Sequence, residues 1–396
     1  MATESTTMRN IYLDHNATTP VHPEVLEAML PYFSRKFGNA SSMHSSGREA
    51  KAALEDARAG CARILGCRDS EIVFTSGGTE SDNYAVKGAA FANRNRGKHV
   101  ITSPIEHHAV SVSCEFLEKE GFGVTYLPVD SQGIVDPDQL RKSLRPDTTL
   151  VTIMHANNET GVIQDVKELV RIAHEAGALF HTDAVQTTGK IAYSISELGC
   201  DLLSISAHKL YGPKGVGLLF IKSGTKIQAW NQGGGHERGR RAGTENVAGI
   251  AGLTRALEIA ARDMAKETAK LNSLTTRFYE RLRECVPDIH INGSLEKRVP
   301  NTLNISFKGV EGEAMILSLD MKGISVSSGS ACTSGTTQAS HVLIAMGLPG
   351  ELAHGSVRFS FGRSNSEEDI DYVVDIVAQE VQRLRNISPL YTKSGN

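Results

Sequence analysis

From about residue 70 to 222, short apolar runs alternate with stretches of helical periodicity. Residues 71–75 predict a strand, followed by the turn Ser76-Gly77-Gly78-Thr79 and a helix near 80–91. A strand at 99–102, a helix near 109–120 and strands at 124–128 and 149–154 continue the pattern. Val166, Leu169, Val170 and Ala173 recur at i, i+3, i+4 and i+7, which is one face of a helix that Gly177 stops. Strands are predicted again at 178–182, 201–206 and 216–221. Repetition of strand, helix and strand predicts an α/β layer with a mainly parallel sheet, whose sites gather at the carboxyl ends of the strands.

After about residue 250 the texture changes. A long helical stretch over 248–284 leads to a strand at 302–307, a helix near 313–321 and strands at 323–327 and 356–361. The last helix carries Ile370, Val373, Val374, Val377, Val381 and Leu384 on one face. This half predicts a smaller α+β domain, joined by the N-terminal arm and a helix near 23–32. There is no internal repeat, and the last few residues read as frayed.

Composition narrows the function classes. A chain of 396 residues suggests two or three domains, and 40% hydrophobic with 22% charged residues excludes wholesale disorder. Forty-two basic against forty-five acidic residues leave a net charge of −3, so no charge-driven nucleic-acid or membrane partner is expected. The first ten residues are polar, and no apolar run approaches the ~18 residues of a membrane span. Six cysteines without a C-x-x-C pair do not form a disulfide framework or zinc site, and a soluble, reducing compartment is expected.

Chemistry is concentrated at the predicted strand ends. Ser76-Gly77-Gly78-Thr79-Glu80 opens a helix, where glycines and free N–H groups can cradle a phosphate; a plain turn is the alternative. Glu106-His107-His108 and Asn157-Asn158 either cap turns or face a ligand. Asp183, at the end of an apolar strand, is either a helix cap or an anion for a protonated ring nitrogen. Lys209 follows a buried-looking strand and precedes a Gly-Pro turn, as a Schiff-base lysine with a depressed pKa would. A cradle, an aspartate and a strand-end lysine in this order are what pyridoxal phosphate requires. Further on, Ser327-Ser328-Gly329-Ser330-Ala331-Cys332-Thr333-Ser334-Gly335 carries a thiol on a small, glycine-rich tip, which suits a nucleophile that must move. Arg358 lies within an apolar strand and can serve either a carboxylate or a structural ion pair.

These motifs resemble the cysteine desulfurases of the NifS/IscS family, from Tyr12-Leu13-Asp14-His15-Asn16-Ala17-Thr18-Thr19-Pro20 to Arg358-Phe359-Ser360-Phe361-Gly362-Arg363. Most specific are the SAHKLYGPKG run around Lys209 and the SSGSACTSG run around Cys332. The resemblance implies a fold-type-I transferase: a large domain (18–255) on a mainly parallel seven-stranded sheet, and a small domain (1–17 and 256–396) with the cysteine loop. It implies that Lys209 binds pyridoxal phosphate covalently, Asp183 pairs with the ring nitrogen, Gln186 meets the ring hydroxyl and His107 stacks on the ring. Gly78, Thr79, Ser206 and His208 would hold the phosphate, completed by Thr244 from the partner of a homodimer. Asn158 and Arg358 would grip the carboxylate of L-cysteine. Cys332 would take the sulfur as a persulfide, leaving L-alanine, and supply iron–sulfur cluster assembly through a scaffold or another acceptor in the cytoplasm. In some relatives that cysteine is also a transient cluster ligand; no intrinsic metal is implied. The segment His236 to Asn246 is closer to the nitrogenase-associated branch, a form that several housekeeping members share. Competing readings are another pyridoxal-phosphate activity (aminotransferase or selenocysteine lyase) and a silent scaffold. Retention of Lys209 and Asp183 argues against the scaffold. A metal hydrolase is disfavoured because no H-x-x-x-H spacing occurs.

Overall fold

The computed structural model describes residues 9–328, 339–389 and 391. After β1 (Ile11–Tyr12), one seven-stranded sheet is built from β2 (Ile72–Thr75), β3 (His99–Thr102), β4 (Gly123–Tyr126), β5 (Thr148–Thr152), β6 (Leu179–Asp183), β7 (Leu202–Ser206) and β8 (Gly217–Ile221). Its spatial order is β2-β8-β7-β6-β5-β3-β4. The expected parallel pairing holds from β4 to β7. β8 is the reversed strand, antiparallel to both β7 and β2. The reason is the connection: only a short turn, carrying Lys209, separates β7 from β8, too short for the helical crossover that a parallel pair needs.

Alternate residues of these strands feed two cores on opposite faces of the sheet. Phe74, Ile101, Val151, Phe180 and Leu203 pack on one side. Val73, Val100, Leu150, Leu202 and Leu219 pack on the other. Burial on both faces explains why the strands read as continuous apolar runs.

A third core lies in the C-terminal half. β9 (Ile289–Ile291), β10 (Thr302–Phe307) and β12 (Ser356–Ser360) form an antiparallel sheet, while β11 (Ile324–Ser325) pairs in parallel with β1. Phe278, Phe307, Phe359 and Phe361 fill the space between this sheet and the final helix Glu367–Ile387. The buried face of that helix matches the six residues read from its periodicity. The helix Val247–Cys285 serves both halves: Ile250, Leu253 and Leu257 enter the first core, and Leu271, Leu274, Phe278 and Leu282 enter the third.

The helix Ser45–Leu65 was not legible beforehand. Its buried face is made of Gly47, Ala50, Ala57, Gly60 and Ala62 beside Leu54 and Leu65, so apolar contrast around it is weak. From that helix Arg58, 1% exposed, makes a two-pronged pair with Glu237 at 2.8 and 2.9 Å. Glu237 also accepts the Phe74 N–H, although it and Arg238 sit at φ of 48° and 59°, in the left-handed region. Removing the carboxylate strands a guanidinium in the core. Glu237→Ala is expected to cost about 3–5 kcal/mol, read as a lower denaturant midpoint; an unchanged midpoint would show that the pair adds nothing.

Among the described residues, no helix is long and apolar enough to cross a membrane.

Candidate active site

The carboxyl ends of β2, β6 and β7 open on a cavity of about 410 Å³. At β2 the chain turns through Gly77, whose φ of 151° disfavours any side chain, into the helix Gly78–Asn93. A Cβ on Gly78 would lie 2.9 Å from Val185 Cγ2 and 3.5 Å from the Ser206 Cβ, so glycine lets the helix start approach β7. Gly78, Thr79, Ser206 and His208 all line this end. The first-turn N–H groups of a helix and two hydroxyls form a donor set suited to a phosphate dianion.

The turn after β7 is fixed from several sides. Ala207–Lys209 is a 3₁₀ turn, and Ala207 O accepts N–H bonds from both Leu210 and Gly212. Tyr211, at φ 63°, is held there by three contacts: its N–H donates to the Thr19 hydroxyl, its own hydroxyl accepts the Arg363 N–H, and the Arg363 guanidinium lies over its ring. Lys209 thus projects into the cavity from a rigid base. Its Nζ donates to the carbonyls of Asn16 and Ala17 at 2.6 and 2.7 Å.

Asp183 ends β6 on the cavity floor and accepts the Val185 N–H at 2.8 Å. Burial pushes its carboxyl up to about 6, against the pull of Lys209. Such a carboxylate gains from a cationic partner, as a protonated ring nitrogen is. His107 caps the helix His108–Lys119 by accepting the Ala109 N–H at Nδ1, which leaves the hydrogen on Nε2. Burial, then the neighbouring Lys209, His108 and His341, hold His107 down to about 4, so it is a neutral imidazole at pH 7.

The two asparagines divide the roles left open for them. Asn157 builds the turn: its Oδ1 accepts the N–H groups of Glu159 and Thr160, and its Nδ2 donates to Ile105 O. Asn158 lines the cavity. Across from it Arg358, 3% exposed, donates to the Asn158 carbonyl at 3.0 Å and to Asp14 at 2.8 Å.

The structure therefore brings together Gly78, Thr79, His107, Asn158, Asp183, Gln186, Ser206, His208, Lys209 and Arg358 around one cavity. Thr244 does not line that cavity; it is exposed, on the segment after Arg241. Cys332 lies outside the described residues. On either side of it the chain is tied at the cavity rim: Ser327 bridges to Arg358, and the Ser340 hydroxyl donates to Glu159. Sequence reasoning missed Asp14, Asn16, Asp82 and Lys190. Asp82 faces the same cavity, one helical turn after the glycines, with its carboxyl 3.6 Å from His181. Burial and then Asp183 push that carboxyl up. The spacing Gly78 to Asp82, i to i+4, was the available signal.

The signature of the class-V aminotransferase family matches residues 11–373. A cysteine desulfurase IscS of Dictyoglomus turgidum is 53% identical over 96% of this chain and 97% of its own. One from Methanosarcina thermophila is 51% identical over 98% of this chain and 96% of its own. Among solved structures, a NifS-like protein superposes with a TM-score of 0.89 at 40% identity, covering 95% of this chain and all of that one. A structure described as SspA in complex with cysteine gives a TM-score of 0.79 at 36% identity, covering 89% of this chain and 99% of that one.

Proposed function

Because the chain belongs to the class-V aminotransferase family and, within it, to the pyridoxal-phosphate-dependent cysteine desulfurases that supply sulfur for iron–sulfur clusters, we propose a role for each group in the cavity. The observation that carries the assignment is that Lys209, a phosphate-type cradle and Arg358 line one cavity. Gly78, Thr79, Ser206 and His208 hold the phosphate, Asp183 meets the ring nitrogen, Gln186 the ring hydroxyl, and His107 the ring face. When bound, pyridoxal phosphate supplies a carbonyl for imine formation and a ring that accepts electrons.

Arg358 and Asn158 receive the carboxylate of L-cysteine. To do so Arg358 exchanges Asp14 for the substrate, one carboxylate for another, so no buried guanidinium is left unpaired. Lys209 Nζ would hold the cofactor covalently and, when free, would take up the α-proton of the substrate. His107, neutral and with its hydrogen on Nε2, donates toward the substrate without adding a charge. Cys332 thiolate attacks the substrate sulfur. An S–S bond forms as the Cβ–S bond breaks, and the electron pair stays with the three-carbon fragment, which takes up a proton at Cβ, regains one at Cα and leaves as L-alanine. The persulfide on Cys332 is then delivered to an acceptor, an iron–sulfur scaffold among them.

The working form is a homodimer in the cytoplasm. The exposure of Thr244, away from its own chain's cavity, supports its serving the phosphate site of a second copy. The domain division is 18–255 against 1–17 with 256–396. Separate cores around the two sheets support it, and the boundary falls inside the shared helix Val247–Cys285.

The test is the visible absorbance of the purified protein before and after L-cysteine. A yellow imine band that shifts on addition, with release of alanine, is expected. A protein that stays colourless after pyridoxal phosphate is supplied would overturn the reading. Release of selenide from selenocysteine far faster than sulfide from cysteine would redirect it to a selenocysteine lyase.

A further inference from the structure

Behind the cavity wall, Lys190 approaches two amides. Its Nζ lies 2.7 Å from Gln186 Oε1 and 3.0 Å from Asn16 Oδ1. Both amide orientations follow from partners that can only accept. Gln186 Nε2 is 3.1 Å from the Asn16 carbonyl, and Asn16 Nδ2 is 3.2 Å from the Asn158 carbonyl. A carbonyl oxygen has no hydrogen, so each of those side-chain atoms is the NH₂ nitrogen, and the atoms facing Lys190 are oxygens. Lys190 is therefore a double donor.

We propose that Lys190 is a positioning residue for the cofactor: by tying down the Gln186 carbonyl oxygen, it obliges that side chain to offer its remaining N–H to the ring oxygen. The proposal rests on the cofactor reading above. Without this tie only the bond to the Asn16 carbonyl holds the Gln186 amide, and a turned amide would present an oxygen to the electron-rich ring oxygen, which is repulsive. The same ammonium fixes Asn16, whose backbone carbonyl receives Gln186 Nε2 and Lys209 Nζ and whose Nδ2 also donates to Thr302. This second bond holds the N-terminal arm in place, and the effect on the cofactor runs through Gln186.

The cations that act on Lys190 are Lys209 from the turn after β7 and Arg358 from β12, and the neutral His15 imidazole lies near it on the N-terminal arm. Burial, then these two cations, push its ammonium well below an ordinary lysine's range. A neutral amine keeps two hydrogens, so both donated bonds survive in either protonation state. The geometry, not the charge, performs the positioning.

The test compares wild type with Lys190→Met, Gln186→Leu and the double variant. The dissociation constant for pyridoxal phosphate, the visible band of the bound cofactor and the melting temperature of the cofactor-free protein are read for each. Lys190→Met is expected to raise the dissociation constant about tenfold, the worth of one strong hydrogen bond, and to displace the band. The double variant should be no worse than Gln186→Leu alone, because Lys190 acts through Gln186. Lys190→Gln, which keeps an amide donor, should recover part of the affinity and carries the test if Lys190→Met does not fold. Independent, multiplying effects would overturn the proposal, as would an unchanged band and affinity in Lys190→Met, or a Lys190→Gln protein that binds the cofactor no better than Gln186→Leu. Failure of the wild type itself to bind pyridoxal phosphate would instead overturn the cofactor reading.

Discussion

Lys209→Ala is expected to abolish turnover, with alanine release falling at least about a thousandfold, since both covalent attachment and proton transfer are lost. The substitution should not unfold the protein. The turn that presents Lys209 is set by backbone bonds to Ala207 and by Tyr211, Thr19 and Arg363, none of which uses the lysine side chain. What it removes is the pair of bonds from Nζ to the carbonyls of Asn16 and Ala17, which can turn to water in the open cavity. Two measurements check this. Borohydride reduction followed by mass spectrometry should find cofactor fixed to the wild type and none fixed to the variant. Thermal unfolding should change by far less than for Glu237→Ala. Substantial residual turnover in Lys209→Ala would mean that another base moves the proton.

Cys332→Ala should separate the two halves of the chemistry. The groups of one chain proposed to face the cofactor all belong to its own cavity wall, and the thiol is needed only when the substrate sulfur departs. The variant should therefore keep a normal visible band and its response to L-cysteine. Enzyme-bound persulfide should fall to background, and alanine release should fall at least about a hundredfold for want of the nucleophile. Labelling of enzyme-bound sulfane sulfur and quantitation of alanine read the two effects separately. Persulfide still forming on Cys332→Ala would assign the nucleophile elsewhere. Full alanine release without persulfide would favour a chemistry that needs no thiol, as an aminotransferase does.

The strands and the strand-end groups were legible because each is a local signal. Asp183 and Lys209 follow apolar runs directly, and the final helix shows its buried face in its own periodicity. The helix Ser45–Leu65 was hidden by the small residues of its buried face, and the reversal of β8 depended on reading a turn length. Asp14 and Asn16 were hidden for a different reason, because their chemistry exists only in distant pairs, whereas Lys190 stands four residues after Gln186. Asp14 meets Arg358 344 residues away, and Asn16 meets Thr302 across 286. A lone Asp or Asn in the sequence carries no sign of such a partner. Asp82 was legible in principle, one turn beyond a glycine pair already singled out.

The pairing of β1 with β11 imposes an order on biosynthesis. Ile11 and Tyr12 leave the ribosome long before their strand partners, Ile324 and Ser325. Asp14 and His15 likewise bond to Arg358 and Ser360. A nascent chain can close the seven-stranded sheet once β8 has emerged. The arm that brings Asn16 and Ala17 to Lys209 must wait until β11 and β12 have emerged. Closing so long a loop is slow and comes late. Lys209 thus acquires its carbonyl partners only in a late stage of folding, and a chain terminated before β11 makes the sheet without a finished cavity.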